Sequence, residues 1–165
     1  MAEKISSMRK DETKLHLGCF YQKIHGFTNV DIREDINPDL VDDVFKLKNI
    51  KQGSVDLIYT CHVLEHAKRQ EAKDAMKRWH EILKKGGILR VSVPDLEAIF
   101  EYYICHKDLR ALECLLYGSQ KHPYDFHYTG WDFKSMERDL KEAGFSSVTR
   151  YRAFFRRRLQ PILLT

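Results

Sequence analysis

The sequence predicts an α/β protein in which helices flank a central, mostly parallel β-sheet. Residues 55–59 are a short apolar run, as in a fully buried parallel strand, and residues 88–93 are a second one. Apolar residues between them recur every three or four positions, as on one face of a helix: Ala72, Ala75, Met76, Trp79, Ile82 and Leu83. Strand, helix and strand form the β-α-β unit from which parallel sheets are built.

The elements around this unit follow from similar patterns. Gly86 and Gly87 are predicted to end the helix as a C-cap pair. Upstream, residues 14–18 and 27–32 predict the first two strands. Residues 19–28 are fewer than a parallel crossover normally needs. Either the first crossover helix has shrunk to a turn, or these two strands are arranged differently.

The rest of the chain alternates between strand, helix and loop signals. Residues 41–47 predict a third strand or its end, and residues 117–131 predict an aromatic, polar loop that covers a site. Apolar stripes predict further helices at residues 96–103, 109–116 and 133–143, and residues 145–154 have strand character. Three ranges describe the whole: a flexible N-terminus (1–12), one folded domain (13–155) and a C-terminal tail (156–165).

Composition excludes several classes of protein. An apolar fraction of 43% and a charged fraction of 32% are ordinary for a soluble globular domain. No apolar run approaches the ~18 residues of a membrane span, and the charged start has no signal-peptide core, so we expect a cytoplasmic protein. The 4 cysteines include no Cys-x-x-Cys pair, which predicts neither a disulfide framework nor a zinc knuckle.

An arginine cluster near the end is the main local charge feature, since the net charge is only +4. It comprises Arg150, Arg152, Arg156, Arg157 and Arg158. Such a cluster can bind phosphate or nucleic acid, or it can be the solvated end of a terminal strand. We favour the second interpretation, because phosphate-binding surfaces usually draw charge from several elements. Nucleic acid and membranes are therefore not expected partners.

Several phrases together resemble the class I S-adenosylmethionine-dependent methyltransferases, and most closely their small type 11 branch. The phrases begin at Leu15 (Leu-His-Leu-Gly-Cys), Asn29 (Asn-Val-Asp-Ile), Cys61 (Cys-His-Val-Leu-Glu-His), Leu83 (Leu-Lys-Lys-Gly-Gly), Phe126 (Phe-His-Tyr-Thr-Gly-Trp) and Glu142 (Glu-Ala-Gly-Phe). The resemblance implies a Rossmann-like methyltransferase fold with a shortened first crossover and an antiparallel last pair of strands. It also implies S-adenosylmethionine as cofactor and S-adenosylhomocysteine as product.

The resemblance assigns cofactor contacts to the turn after the first strand. This turn, Leu17, Gly18, Cys19 and Phe20, stands where the family has a glycine-rich loop. His16 occupies the acidic position that precedes the loop. Phe20 replaces the central glycine, and we expect its ring to crowd the cofactor because glycine normally permits close approach there.

Two aspartates and the end of the fourth strand complete the expected cofactor site. Asp31 is predicted to accept hydrogen bonds from the ribose hydroxyls. The alternative is a turn aspartate that caps Arg33, and the resemblance favours ribose binding. Asp43 matches the position that contacts the adenine amino group, with Asp42 as an alternative one residue away. The remaining positions implied by the resemblance are Ile32, Val44, Cys61 and His62.

Metal binding is a competing interpretation of one segment. Residues 62–66 spell His-x-x-Glu-His, the inverted zinc-protease motif, in which His62 and His66 would bind zinc and Glu65 would act as base. The motif begins directly after a buried strand, and no convincing third ligand follows it. We therefore expect no metal.

The predicted reaction is methyl transfer to a small hydroxylated or sugar-like molecule. A hydroxyl acceptor must lose its proton, and the candidate bases are His62, His66, Asp95 and His127. We predict His127 as the general base, with His62 or Asp95 shaping the cofactor end. The alternative is a non-catalytic relative that serves in interaction or assembly. At 165 residues there is no inserted substrate domain, so the acceptor pocket is either open or completed by a second subunit in a homodimer.

Overall fold

A computed structural model describes residues 12–151 and 162–164 of the protein. The strands in this part are β1 (Lys14–Leu17), β2 (Thr28–Asp31), β3 (Leu40–Val41), β4 (Val55–Cys61), β5 (Leu83–Val93), β6 (Arg150–Tyr151) and β7 (Ile162–Leu164). The α-helices are α1 (Arg69–Ile82), α2 (Leu96–His106), α3 (Glu113–Tyr117) and α4 (Phe133–Glu142). Short 3-10 turns lie at Glu34–Ile36, Leu64–His66 and Arg110–Leu112.

All of these strands join one sheet in the order β3-β2-β1-β4-β5-β7-β6. The first five in this order are parallel, whereas β7 is antiparallel to both β5 and β6. This confirms the predicted fold class and the antiparallel last pair. Parallel pairing sets Leu17 beside Val30 and Thr60, so the carboxyl ends of β1, β2 and β4 meet at one edge of the sheet. Ligands bind at this edge in open α/β sheets.

The core forms where α1 and α4 pack against the sheet. Trp79 of α1 is fully buried, and its indole Nε1 donates to the carbonyl of Val44 at 2.8 Å. Met136 and Leu140 of α4 are buried in the same cluster. Because Trp79 bonds to the segment after β3, this helix also fixes one wall of the ligand-binding edge. None of the helices in the described residues is long and apolar enough to cross a bilayer.

The first crossover is short, as the resemblance implied. Residues 18–27 contain turns and no helix, and β1 still pairs in parallel with β2. The third strand is shorter than predicted, since β3 ends at Val41 and residues 42–47 form turns. Asp43 explains this difference, because its carbonyl accepts from Lys46 and Leu47 at 2.9 and 2.8 Å and so curls the chain away from the sheet.

The glycine pair does not cap α1, which corrects another prediction. The helix ends at Ile82, and Leu83 is already extended and pairs with Val55. The pairing then shifts to Leu57 and Ile88, so Gly86 and Gly87 lie in a bulge between the two registers. Glycine is needed there because a Cβ on Gly87 would lie 2.9 Å from the Lys84 carbonyl oxygen.

The C-terminal boundary also needs correction. We assigned 156–165 to a tail, yet Ile162–Leu164 forms β7 between β5 and β6. The sheet thus continues past the predicted domain limit. The N-terminal range lies outside the described residues except for Glu12, as do the tail residues before β7.

Candidate functional site

One large cavity opens at the carboxyl ends of β1, β2 and β4. Its volume is about 1180 Å³, which exceeds the ~300–1,000 Å³ of typical small-molecule pockets. It is lined by most of the residues that we predicted to bind the cofactor: Gly18, Cys19, Phe20, Asp31, Ile32, Asp43, Val44, Cys61 and His62. His127 lines it as well. The predicted cofactor-binding residues in this lining come from four separate segments of the chain, and His127 comes from a fifth.

Gly18 turns the chain at the end of β1. Its φ of +68° favours glycine, and a Cβ at this position would overlap the side chain of Val63. The amides of Gly18 and Cys19 both donate to the Val30 carbonyl, at 2.8 and 3.2 Å. Leu17, which precedes the turn, is fully buried and does not line the cavity.

Phe20 does not fill the cavity as expected. Its side chain is 45% exposed, its ring lies edge-on to Tyr21 with centroids 4.4 Å apart, and the Arg33 guanidinium lies 5.3 Å from its centroid. The residue has a φ of +46°, in the left-handed region. The ring is thus held at the rim by two neighbours, and the expected crowding of the cofactor is reduced.

The two aspartates that the sequence singled out face the same cavity. Asp31 is 8% exposed and accepts the amides of Phe20 at 2.9 Å and Arg33 at 3.0 Å, one on each carboxylate oxygen. Each oxygen keeps a second lone pair for a ligand. Asp43 lines the cavity and pairs with Lys46 at 2.5 Å, whereas Asp42 does not line it. Of the two aspartates considered for the adenine contact, only Asp43 lines the cavity, so the structure favours Asp43 over Asp42.

The segment after β4 is not the helix that a zinc protease needs. His62 has a φ of +55°, and Leu64–His66 forms a 3-10 turn, so His62 and His66 do not share a face of an α-helix. The His62 Nδ1 lies 3.0 Å from the Oε1 of Glu65. This hydrogen bond raises the pKa of His62 above its usual value.

His127 enters the site from the loop between α3 and α4. Its Nδ1 lies 2.9 Å from the Leu115 carbonyl oxygen, which can only accept, so the Nε2 carries the free lone pair of the neutral ring. Burial lowers the pKa of His127, which keeps the ring neutral near pH 7. The His66 ring lies edge-on to it, with centroids 4.9 Å apart.

Asp95 is a structural residue in this fold, contrary to its predicted role in shaping the site. It is buried and does not line the cavity. One carboxylate oxygen accepts the Glu97 amide at 3.1 Å and caps α2, and the other pairs with Arg150. Arg150 also lies over the Phe133 ring. Arg150, one of the five arginines in the predicted cluster, therefore makes contacts within the fold. The other four lie outside the described residues.

Sequence reasoning missed the contribution of α3 to the cavity wall. Cys114 of this helix lines the cavity, next to Ser119 and His122 of the loop that the sequence predicted to cover the site. The apolar stripe of residues 109–116 predicted the helix but could not show which neighbouring surface the helix would cover. The polar Cys114 within this stripe was the available signal.

Comparison with known proteins gives one family match and many structural neighbours. A family profile described as a methyltransferase domain matches residues 26–91. No curated protein sequence matches significantly. Among solved structures, an S-adenosylmethionine-dependent methyltransferase from Archaeoglobus fulgidus is 16% identical with a TM-score of 0.62. The alignment covers 85% of this chain and 63% of that protein, so the chain spans less than two thirds of its length.

Two other neighbours have the same fold. A possible histamine N-methyltransferase from Thermotoga maritima is 15% identical with a TM-score of 0.60, over 93% of this chain and 75% of its own. Phosphoethanolamine N-methyltransferase 2 from Haemonchus contortus, solved with phosphomonomethylethanolamine and S-adenosylhomocysteine, is 14% identical with a TM-score of 0.55. That alignment covers 88% of this chain and 36% of the Haemonchus protein.

The sheet order, the ligand-binding edge and these matches define a class I S-adenosylmethionine-dependent methyltransferase fold. The methyltransferase-domain profile over residues 26–91 agrees with the type 11 branch that the sequence predicted. The Archaeoglobus neighbour is S-adenosylmethionine-dependent and the Haemonchus neighbour holds S-adenosylhomocysteine, which agrees with the predicted cofactor.

Proposed function

We propose that the protein transfers a methyl group from S-adenosylmethionine to an oxygen of a small hydroxylated or sugar-like molecule. The observation that carries this proposal is the convergence of three strand ends and His127 on one cavity. A volume of about 1180 Å³ has room for a donor and an acceptor side by side.

The donor would bind along the ends of β1, β2 and β4. Gly18 lets the backbone approach it closely, and Asp31 offers carboxylate oxygens to a ribose. Asp43, which lines the same cavity, would accept from the adenine amino group, and Cys61 and His62 line it at the end of β4. These residues fit the cofactor that the family uses.

The acceptor would lie under the loop that carries His127. Tyr124 of this loop lines the cavity with its ring partly exposed, as a sugar face requires for stacking. When bound, S-adenosylmethionine supplies an already activated methyl group, so the protein's task is to position the acceptor and remove its proton. The free Nε2 of His127 can accept that proton.

The non-catalytic alternative depended on Phe20 blocking the cofactor. Since its ring packs at the rim against Tyr21 and Arg33, no structural observation favours loss of cofactor binding. A partner that completes the acceptor side, such as a second copy of the chain, remains part of the proposal because the cavity is open.

A labelling experiment tests the proposed reaction. The protein is incubated with methyl-labelled S-adenosylmethionine and a panel of sugar nucleotides, polyols and phenols, and product is analysed by mass spectrometry. We expect label on an oxygen of at least one compound. If S-adenosylhomocysteine binds yet no acceptor in the panel, nor one from a small-molecule cell extract, is labelled, the protein is a binding module.

A further inference from the structure

Glu65, His66 and His127 form a cluster that the proposed reaction does not fully use. One possible ligand atom from each lies within 4.8 Å of the other two. Glu65 and His66 follow β4 directly, whereas His127 is in the distant loop before α4. The cluster is held together by the backbone, because the amides of Tyr128 and Thr129 donate to the Glu65 carbonyl at 2.8 and 3.3 Å.

Both histidines keep one ring nitrogen free to bind a metal. The Nδ1 of His66 lies 3.1 Å from the Phe126 carbonyl oxygen, and that of His127 lies 2.9 Å from the carbonyl oxygen of Leu115. A carbonyl oxygen accepts only, so each Nδ1 bears the proton and each Nε2 keeps its lone pair. Metal-binding histidines are oriented in this way by a carbonyl or carboxylate behind the ring.

The environment of the Glu65 carboxylate also points to a cation, independently of the histidines. Its side chain is 1% exposed, its Oε1 is bonded to His62, and its Oε2 is buried without any hydrogen-bond partner. Among the described residues its one ion pair is with His62, through Oε1, and no lysine or arginine pairs with Oε2. A buried carboxylate oxygen without a partner is costly, and a cation beside it would remove that cost.

We propose that Glu65, His66 and His127 bind one divalent transition-metal ion, with zinc as the reference case, and leave its remaining positions open to the cavity. Two imidazoles and one carboxylate are a ligand set of catalytic metal sites that keep open positions. His66 and His127 both line the cavity, so an acceptor oxygen can reach the ion. This site differs from the zinc-protease motif, in which His62 would be a ligand and Glu65 the base.

The consequence for the reaction rests on the proposed function. An acceptor hydroxyl bound to the ion loses its proton to solvent water more readily, because the ion stabilises the alkoxide. The oxygen then forms a bond to the methyl carbon as the sulfur–carbon bond breaks, and the electron pair of that bond stays on sulfur. His127 acts in this case as a ligand, and in the metal-free protein as the base.

Metal titration tests the site without any assay of turnover. Protein without a histidine tag is stripped with a chelator and titrated with Zn²⁺ by calorimetry and with Co²⁺ by visible absorption. We expect one ion per chain, and affinity reduced ~100-fold or more in Glu65→Gln and His127→Ala. His106→Ala is the matched control, because His106 is exposed on α2 and does not line the cavity.

The outcomes separate this inference from the proposed function. Absence of binding at millimolar Zn²⁺, or equal affinity in wild type and both variants, overturns the metal site. If Glu65→Gln fails to fold, His127→Ala carries the test, since His127 is in a loop. S-adenosylhomocysteine is titrated in parallel with chelator present, and we expect it to bind. Its failure to bind would contradict the proposed function and leave the metal result standing.

Discussion

The amide of Phe20 donates to the carboxylate of Asp31 at 2.9 Å, which joins the turn after β1 to the end of β2. The residue that disrupts the family's glycine loop is thus hydrogen-bonded through its backbone to the predicted ribose-binding residue. Because only the amide is needed, the side chain at position 20 is free to pack at the rim against Tyr21 and Arg33. The loop can therefore tolerate a phenylalanine without losing its link to Asp31.

Gly18→Ala should destabilise the protein by about 1–3 kcal/mol, measured by urea unfolding. A Cβ there would overlap Val63, and φ is +68°. Gly53→Ala is the control, since it has a φ of +61° and nothing within 4 Å of the added carbon. Equal losses in the two variants would show that the contact with Val63 has no effect.

Asp31→Ala should weaken binding of S-adenosylhomocysteine by about 1–3 kcal/mol, because the ribose hydroxyls lose a charged acceptor. Asp35→Ala is the comparison, as this exposed aspartate pairs with Arg33 and does not line the cavity. Calorimetry measures both affinities. Should Asp31→Ala lower only the melting temperature, the residue serves the turn after β2 and not the ligand.

His127→Ala should lower turnover by about 10²–10⁴-fold with nearly unchanged donor affinity. The reason is that His127 faces the acceptor side, either as base or as metal ligand. Initial rates at saturating donor measure the effect, with His106→Ala as control. A decrease of less than about threefold would mean that the acceptor needs no proton removal at this position.

His16 should make the protein less stable as pH falls below its unfolded pKa of about 6.5. Its ring is 5% exposed, its Nδ1 lies 3.0 Å from the Asn29 Oδ1, and burial lowers the pKa of His16, while Asn29 and Asp31 act in the opposite direction. The unfolded chain therefore binds more protons between the two pKa values, and stability is lost there.

Urea unfolding between pH 7.5 and 5 measures this dependence. His16→Gln should show a shallower decrease in unfolding free energy than wild type, because glutamine does not titrate. His25→Gln, at an exposed position in the turn before β2, should behave as wild type. Parallel curves of unfolding free energy against pH for wild type and His16→Gln would show that His16 does not cause the loss of stability.

The sequence predicted the sheet and most of the cavity lining at the strand ends, because strand and helix periods are local and the family phrases mark strand ends. It did not predict the bulge at Gly86 and Gly87, since glycine after a helical pattern is equally consistent with a C-cap. It also assigned Asp95 to the site. The structure instead pairs Asp95 with Arg150, which is 55 residues away along the chain. The pairing of His66 with His127 depends on backbone contacts to Glu65 that no local pattern shows.

The most direct test of the account is a calorimetric titration of wild-type protein with S-adenosylhomocysteine in the presence of a chelator. We predict one binding site per chain, with affinity in the micromolar range or tighter, corresponding to about −8 kcal/mol. Absence of binding at millimolar ligand, in a sample whose circular dichroism shows a folded α/β protein, would contradict it.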